Sequence, residues 1–179
     1  MARELLGAHL VVEEGGVRRV GRIVETEAYV GTHDLACHAS KGCTPRTEVL
    51  FGPPGRAYVY LIYGMYHCFN VVTDVEGVAS AVLVRAVEPL EGVQAGVRTD
   101  GPGRLCRALG LTLAHNRLDL QGERLHLLAG APVPEALVQR GPRIGVDYAG
   151  EWALAPYRLW VQGSRHVSRP PARRAAHRP

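Results

Sequence analysis

Apolar and polar residues alternate over short stretches of this chain, the pattern expected for β-strands that bury one face. The stretches are residues 9–13, 17–30, 57–63, 65–73, 81–87, 124–129, 142–147 and 157–162. Helical signals are fewer: residues 2–6 suit one helical turn, and Asp100 is a candidate N-cap for a helix over 102–109 that Gly110 would end. Because no regular strand–helix alternation is present, we predict an α+β fold. It is a single domain with a curved, mainly antiparallel β-sheet core, a projecting β-hairpin and flanking short helices.

The segments between these strands differ in kind. Tyr63-Gly64 lies between two aromatic and β-branched runs, which predicts the tip of a hairpin. Residues 31–56 show no apolar period. A loop of that length in a small domain is usually functional or disordered, so we expect it to carry function or to lack order.

Positive charge is concentrated at the C-terminus. The chain has 179 residues and a net charge of +4, and five arginines lie within residues 165–178 without an acidic residue. Without them the acidic residues outnumber the basic ones by one. We therefore predict a domain over residues 1–168 and a basic, disordered tail over residues 169–179. The tail could bind phosphates weakly or simply be solvated.

Hydropathy and cysteine content indicate a cytoplasmic protein. No apolar run approaches the roughly 18 residues that a membrane-spanning helix needs, and no signal peptide is visible. The four cysteines are too few for a disulfide scaffold in a chain of this length, which fits a reducing compartment.

Two glutamates, Glu25 and Glu27, share one face of a predicted strand because side chains alternate along a strand. From spacing alone, a solvated face on which these acids pair with Arg18, Arg19 or Arg22 explains them better than catalysis does. A catalytic role would require one of them to act as a general base beside a water molecule.

Four tyrosines lie close together at positions 58, 60, 63 and 66. Packing between paired strands accounts for Tyr58 and Tyr66. Tyr63 is different, because a hairpin tip seldom needs a large aromatic side chain for packing. An aromatic residue on a rigid tip can instead insert into a stack of nucleic-acid bases.

A zinc-dependent hydrolase is a further possibility, since Cys37, His38 and Cys43 lie near one another. The spacing has no second ligand pair elsewhere in the chain. The His-x-Glu and Pro-Cys-x-x-Cys motifs of zinc deaminases do not occur either. The sequence thus gives the metal hypothesis little support.

Nine segments occur in a fixed order along the chain: Gly21–Tyr29, His38–Ala39, Thr44–Arg46, Phe51–Gly55, Tyr58–Asn70, Val82–Ala86, Glu88–Pro89, Gly101–Cys106 and Arg143–Val146. Together they resemble the alkyladenine (3-methylpurine) DNA glycosylase family, and the chain looks like a bacterial member. The resemblance covers roughly residues 3–168, so it implies that the predicted domain is a DNA glycosylase domain.

The resemblance implies roles for the residues around the scissile bond. Glu27 matches the carboxylate that activates water, and Arg85, with the backbone of residues 143–150, would help to hold that water. Three side chains would sandwich the flipped base: Tyr29, His38 and Tyr60. Asn70 matches the residue that crowds a guanine 2-amino group.

The resemblance also implies contacts with the duplex. Tyr63 matches the residue that fills the gap left by the flipped nucleotide, and Met65 and Tyr66 would follow it along the minor groove. Arg46 and Arg104 are expected to contact phosphates. One departure is Cys43, where the family pattern leads us to expect an arginine before Thr-Pro-Arg; its absence removes one expected contact with the DNA backbone.

The implied activity is that of a monofunctional, monomeric enzyme of base excision repair. It would bind double-stranded DNA that contains a damaged purine (3-methyladenine, hypoxanthine or ethenoadenine) and use water as the nucleophile, without a metal or organic cofactor. The alternative is a non-catalytic lesion-binding protein on the same scaffold, against which the presence of Glu27 and Arg85 argues.

Overall fold

The computed structural model describes residues 1–168, which contain eight β-strands and one α-helix. They are β1 (His9–Glu14), β2 (Val17–Val30), β3 (Ala57–Ile62), β4 (Tyr66–Thr73), β5 (Ser80–Glu91), α1 (Pro102–Leu109), β6 (Leu125–Leu128), β7 (Val138–Gly141) and β8 (Arg158–Val161). The 3₁₀ helices are His38–Lys41, Glu48–Phe51, Leu113–His115, Glu135–Leu137 and Asp147–Leu154. The predicted tail over residues 169–179 lies outside the described residues.

One sheet contains all of these strands, in the order β3-β4-β5-β2-β1-β6, with β8 pairing β2 and β7. Every strand pair is antiparallel, which confirms the predicted α+β class and sheet type. The long strand β2 pairs with β5 along one edge. Along its other edge, β2 pairs first with β1 and then, past its middle, with β8. Val24 and Arg85 have no partner in the register between β2 and β5. They mark β-bulges, which bend a sheet.

The helix α1 covers the main core by one face. Leu105, Cys106 and Leu109 are buried and face an apolar cluster that includes Phe69 of β4. Pro102 suits the first turn of α1, because an N–H at this position would find no acceptor within the helix. At the other end, Gly110 ends the helix in a left-handed conformation (φ 78°).

Asp100 does not cap α1, contrary to the sequence prediction. The N-cap is Gly101, and the Asp100 carboxylate instead accepts hydrogen bonds from the arginine side chains at positions 98 and 104. The helix therefore begins one residue later than an Asp100 cap would require, and the Asp100 carboxylate forms charge-assisted hydrogen bonds with two guanidinium groups instead.

The strand predicted over residues 142–147 is also wrong. The strand that pairs with β8 is β7, immediately before that segment. Pro142 cannot donate a ladder hydrogen bond, and Gly145 has a positive φ of 80°, so the apolar run after Pro142 leaves the sheet.

The segment predicted as a loop, residues 31–56, contains two of the short 3₁₀ helices, His38–Lys41 and Glu48–Phe51. They pack against the ends of β3 to β5 in a second buried cluster, which includes Ala39, Leu50 and Tyr58. The segment is therefore ordered, and it forms one wall of the cavity described below. Across the described residues, each helix is too short or too polar to cross a lipid bilayer.

Candidate active site

Glu27 lies near the C-terminal end of β2, where this strand pairs with β5 and β8, and its side chain is completely buried. Its Oε1 accepts the backbone N–H of Ile144 at 2.7 Å and lies 3.3 Å from Nη1 of Arg85. Its Oε2 accepts the hydroxyl of Tyr29 at 2.9 Å. A carboxylate has about four acceptor positions. Three are occupied, so one position on Oε2 remains for a further donor such as water.

Glu25, on the same strand, is held by a different set of partners. Its Oε1 accepts Nε of Arg158 at 2.6 Å and Nε of Arg85 at 3.2 Å, and Ser168 donates both its hydroxyl and its backbone N–H. The predicted solvated face with surface arginine partners is therefore wrong for both acids. The three arginines lie elsewhere: Arg18 pairs with Glu13 and Glu91, Arg22 pairs with Glu88, and Arg19 packs near Gly110.

The two glutamates and two arginines form a compact buried cluster. The side chains of Glu25 and Glu27 are fully buried, and those of Arg85 and Arg158 are at most 9 % exposed. Two negative charges face two positive charges, which offsets the large cost of burying each charge alone. The four buried side chains therefore compensate one another's charge in the interior.

A cavity of about 280 Å³ opens next to this cluster. Three partners of Glu27, namely Tyr29, Arg85 and Ile144, form part of its wall. Glu27 itself lies directly behind them. The cavity also brings together His38, Tyr60 and Asn70, the remaining predicted base-binding residues, and Tyr63 stands at its rim.

His38 and Tyr60 form the aromatic part of the wall. Their ring centroids are 4.7 Å apart in an edge-to-face arrangement, and Nδ1 of His38 lies 2.9 Å from the Tyr58 hydroxyl. Burial, helped by the positive charge of Arg46, lowers the pKa of His38 to about 4. The imidazole is therefore neutral at physiological pH and presents an uncharged face to the cavity.

Tyr29 is placed between the carboxylate and the cavity. Burial and the negative charge of Glu27 raise its pKa well above the ordinary value for tyrosine. Its hydroxyl thus stays protonated and donates to Glu27 throughout the working pH range. The guanidinium of Arg143 lies 4.7 Å from the ring centroid and fixes the ring from the other side.

Asn70 is anchored by its own strand pair. Nδ2 donates to the carbonyl oxygen of Tyr58 at 3.0 Å, directly across the β3–β4 register. Because the side chain is 4 % exposed and hydrogen-bonded, the shape of the cavity is fixed at this point.

Sequence reasoning missed the ion pair of Asp34 and Arg143. Both side chains are fully buried, and the guanidinium binds both carboxylate oxygens. Arg143 also donates to the carbonyl oxygens of Ala28 and Trp152. Its neighbour Ile144 is the residue that donates to Glu27, so the pair fixes one wall of the site. Asp34 and Arg143 are 109 residues apart, and no local pattern links them.

Comparison with known proteins identifies the family of this chain. The family model described as methylpurine-DNA glycosylase matches residues 1–165. The chain belongs to this family. It is therefore a DNA glycosylase, a DNA-binding hydrolase that acts on N-glycosyl bonds in the repair of alkylation damage, and this class argues against the non-catalytic alternative.

Three curated bacterial proteins are similar to this chain over nearly its whole length. A protein of Myxococcus xanthus is 74 % identical over 97 % of this chain and 91 % of its own length. One from Anaeromyxobacter dehalogenans is 57 % identical (95 % and 81 %), and one from Legionella pneumophila is 50 % identical (94 % and 91 %). Each carries the name "Putative 3-methyladenine DNA glycosylase".

The β3–β4 hairpin projects three residues beyond its last strand pair, Ile62 and Tyr66. Tyr63 at the tip is 83 % exposed, Met65 66 % and Tyr66 45 %. Tyr58 is buried as predicted, and Tyr66 packs close to Gly103 of α1 while nearly half of its surface stays exposed. This methylpurine-DNA glycosylase thus presents three large apolar side chains to solvent beside its cavity.

The two predicted phosphate contacts have different surroundings. The Arg46 guanidinium lies 5.0 Å above the Tyr60 ring, at the wall of the cavity. Arg104 is exposed on α1 and pairs with Asp100 at 3.0 Å. The negative charge of Asp100 weakens the attraction of Arg104 for a phosphate. The departure from the family pattern, Cys43, is exposed.

The proposed zinc ligands do not converge. Cys37 is buried and directs its thiol to the carbonyl oxygen of Ala79, His38 contacts Tyr58, and Cys43 is exposed. Within residues 1–168 no group of three or more His, Cys, Asp or Glu side chains has a geometry that could hold a metal ion. The zinc-hydrolase alternative therefore has no ligand set in the described part of the chain.

Proposed function

We propose that this DNA glycosylase flips alkylated or deaminated purines out of duplex DNA and hydrolyses the N-glycosidic bond with a water activated by Glu27. The observation that carries the proposal is the Glu27 carboxylate, buried and paired with Arg85, with one free acceptor position behind an aromatic cavity. The names of the bacterial relatives support 3-methyladenine as a substrate. Hypoxanthine and ethenoadenine are the other lesions we include.

The reaction needs a placed water, because a purine is a poor leaving group and the sugar becomes cationic as the bond breaks. Glu27 would accept a proton from water through the free position on Oε2 and stabilise the oxocarbenium-like sugar, as carboxylates do in glycoside hydrolysis. General-base assistance of this kind is typically worth about 10²–10⁴ in rate. Arg85 and the Ile144 N–H hold the carboxylate in place for this step.

The flipped base would lie against Tyr29, His38 and Tyr60. Stacking on such rings contributes about 1–3 kcal/mol per base, which offsets much of the few kcal/mol that unstacking costs. The anchored Asn70 amide would exclude a guanine 2-amino group by crowding it, since the side chain cannot move away without losing its bond to Tyr58.

The hairpin tip would enter the duplex at the vacated position. Tyr63 is the proposed wedge, and Met65 and Tyr66 would contact the minor groove beside it. Arg46 and Arg104 are the proposed phosphate contacts. Because Arg104 already pairs with Asp100, we expect the larger share of phosphate affinity to come from Arg46.

The decisive experiment compares Glu27→Gln with the wild-type enzyme on duplexes containing each of the three lesions. We expect unchanged lesion affinity and base release reduced by at least about 10²-fold, since an amide cannot accept the proton. Glu88→Gln is the matched control, because Glu88 is also paired with an arginine but lies away from the cavity. Base release by Glu27→Gln at the control rate would refute the proposed mechanism.

We further propose that the enzyme acts as a monomer in the bacterial cytoplasm, where chromosomal DNA is found. Light scattering during gel filtration tests the oligomeric state. A mass near 19.4 kDa supports the monomer, and a mass of twice that value contradicts it.

A further inference from the structure

We infer that Glu25, together with Ser168, is a positioning residue that holds Arg85 in the orientation needed for catalysis by Glu27. The inference deepens the proposed function and rests on it. Glu25 shares the face of β2 with Glu27, but of its partners Arg85, Arg158 and Ser168 only Arg85 lines the cavity.

The Arg85 guanidinium is held on three edges. Nε donates to Glu25 at 3.2 Å, Nη1 faces Glu27 at 3.3 Å, and Nη2 lies 3.4 Å from the Ser168 hydroxyl. Because the guanidinium is planar and rigid, fixing Nε and Nη2 determines where Nη1 points. Glu25 and Ser168 thus set the contact between Arg85 and the carboxylate of Glu27.

Glu25 is itself fixed from two distant parts of the chain. Arg158 of β8 donates to it at 2.6 Å, and the Ser168 backbone N–H donates at 2.6 Å. Arg158 also donates to the Ser168 carbonyl oxygen, which closes the set. All of these groups are at most 9 % exposed, so water does not replace any contact that is lost.

Charge balance explains why a second carboxylate is needed. Arg85 is shared between the carboxylates of Glu25 and Glu27 and approaches Glu27 through one nitrogen only. Without the Glu25 carboxylate, the guanidinium would be drawn fully to Glu27 and form a two-pronged pair with it. Such a pair would occupy the free acceptor position on Oε2, where the proposed mechanism requires water.

The first test is Glu25→Gln in the full-length enzyme, with Glu88→Gln as the control. Lesion-duplex affinity is measured by binding under conditions without turnover, and the base-release rate in single turnover with excess enzyme. We expect unchanged affinity and a rate reduced by about 10²-fold, the usual consequence of a misplaced group near the reacting atoms. A general structural defect would lower affinity as well.

A double-mutant cycle tests whether Glu25 acts through Arg85. If it does, Glu25→Gln adds little to the loss already caused by Arg85→Ala. Two losses that multiply independently would overturn the inference, as would a Glu25→Gln rate equal to that of the control. Loss of activity in Glu27→Gln alongside a normal Glu25→Gln rate would leave the proposed function intact and reject only the positioning role.

Ser168 provides the test if Glu25→Gln fails to fold. Ser168→Ala removes the hydroxyl but keeps the backbone bond to Glu25, and we expect about a tenfold slower base release, the value of one hydrogen bond to a charged group. Ser168→Thr retains the hydroxyl and should restore the rate. Equal rates for the alanine and threonine variants would contradict the inference.

Discussion

Asp34 and Arg143 form a fully buried, two-pronged ion pair that joins the end of β2 to the segment after β7. Asp34 also accepts the backbone N–H groups of Val30 and Ala36. Burial raises the pKa of Asp34, but the hydrogen bonds from Arg143 and the two N–H groups outweigh that effect and lower it below its ordinary value. The pair therefore stabilises the fold at neutral pH and loses that contribution as the pH falls through the Asp34 pKa.

We predict that Asp34→Asn lowers the free energy of unfolding by about 3–5 kcal/mol, because it leaves the Arg143 charge buried without its counter-ion. Urea denaturation at neutral pH measures the change. Glu135→Gln is the control, since Glu135 pairs with Arg3 and Arg140 on an exposed surface, where solvent screening leaves such pairs little effect on stability. Equally small losses in both variants would show that the buried pair contributes no more than a surface pair.

The Tyr29 hydroxyl gives a second prediction. Tyr29→Phe keeps the ring that would stack on the base and removes only the donor to Oε2 of Glu27. We expect unchanged lesion affinity and base release about tenfold slower, because a hydrogen bond to a charged group is worth about 1.5–3 kcal/mol.

Tyr157→Phe is the control for Tyr29→Phe, since Tyr157 also lies against the Arg143 guanidinium but does not line the cavity. Single-turnover rates and binding isotherms for the two variants decide the matter. A wild-type rate in Tyr29→Phe would mean that the hydroxyl does not orient the carboxylate.

His38 predicts a specific dependence of stability on pH. Burial lowers its pKa to about 4 in the folded protein, from 6.5, so between these values the unfolded chain binds a proton that the folded protein does not. Stability due to His38 is therefore complete above pH 6.5 and is lost as the pH falls toward about 4. A shift of this size is worth at most about 3 kcal/mol.

Urea denaturation of wild type and His38→Gln across this range checks the prediction. The unfolding free energy of the wild type should fall more steeply than that of the variant as the pH drops from 6.5 to about 4. Above pH 6.5 the difference between the two proteins should be constant. Parallel curves over the whole range would show that His38 is not buried in its neutral form.

Features that depend on neighbouring residues could be predicted from the sequence, whereas features that depend on distant residues could not. Strands β1 to β5 and the helix α1 were predictable because alternation, the hairpin signal at Gly64 and the stop at Gly110 are local. The burial of Glu25 could not be predicted, because its partners Arg158 and Ser168 are 133 and 143 residues away. The apolar run over residues 142–147 misled the strand prediction, since Ile144 donates its N–H to Glu27 and not to a sheet neighbour.

The candidate site divides in the same way. Family resemblance named His38, Tyr60 and Asn70, and the structure brings all three to one cavity. The resemblance gave no indication of Asp34 or of the contact between Ser168 and Glu25, because neither has a local sequence signal. Partners that act through another side chain are recognised only once the fold has placed them together.

Tyr63 combines backbone strain with exposure, which gives the last prediction. Its φ is +54°, a left-handed conformation that costs a residue with a Cβ about 1–2 kcal/mol, and its ring contributes little to the core at 83 % exposure. Asparagine adopts this conformation more readily. Tyr63→Asn should therefore raise the unfolding free energy by up to about 1 kcal/mol while weakening lesion binding by about tenfold, the value of a lost stacking contact.

The assignment of Tyr63 as the wedge requires that Tyr63→Asn raises the unfolding free energy and lowers the affinity for lesion duplex. Val75→Ala is the control, since Val75 is an exposed apolar residue in the turn between β4 and β5, at the opposite end of β4 from the hairpin tip. It should leave lesion affinity unchanged. If Tyr63→Asn binds lesion duplex as tightly as wild type, the ring does not enter the duplex. If the variant is also less stable, the ring packs against the protein, and the strain at Tyr63 serves the fold. A gain in stability joined to a loss of binding would instead mean that the strained tyrosine is kept for its contact with DNA.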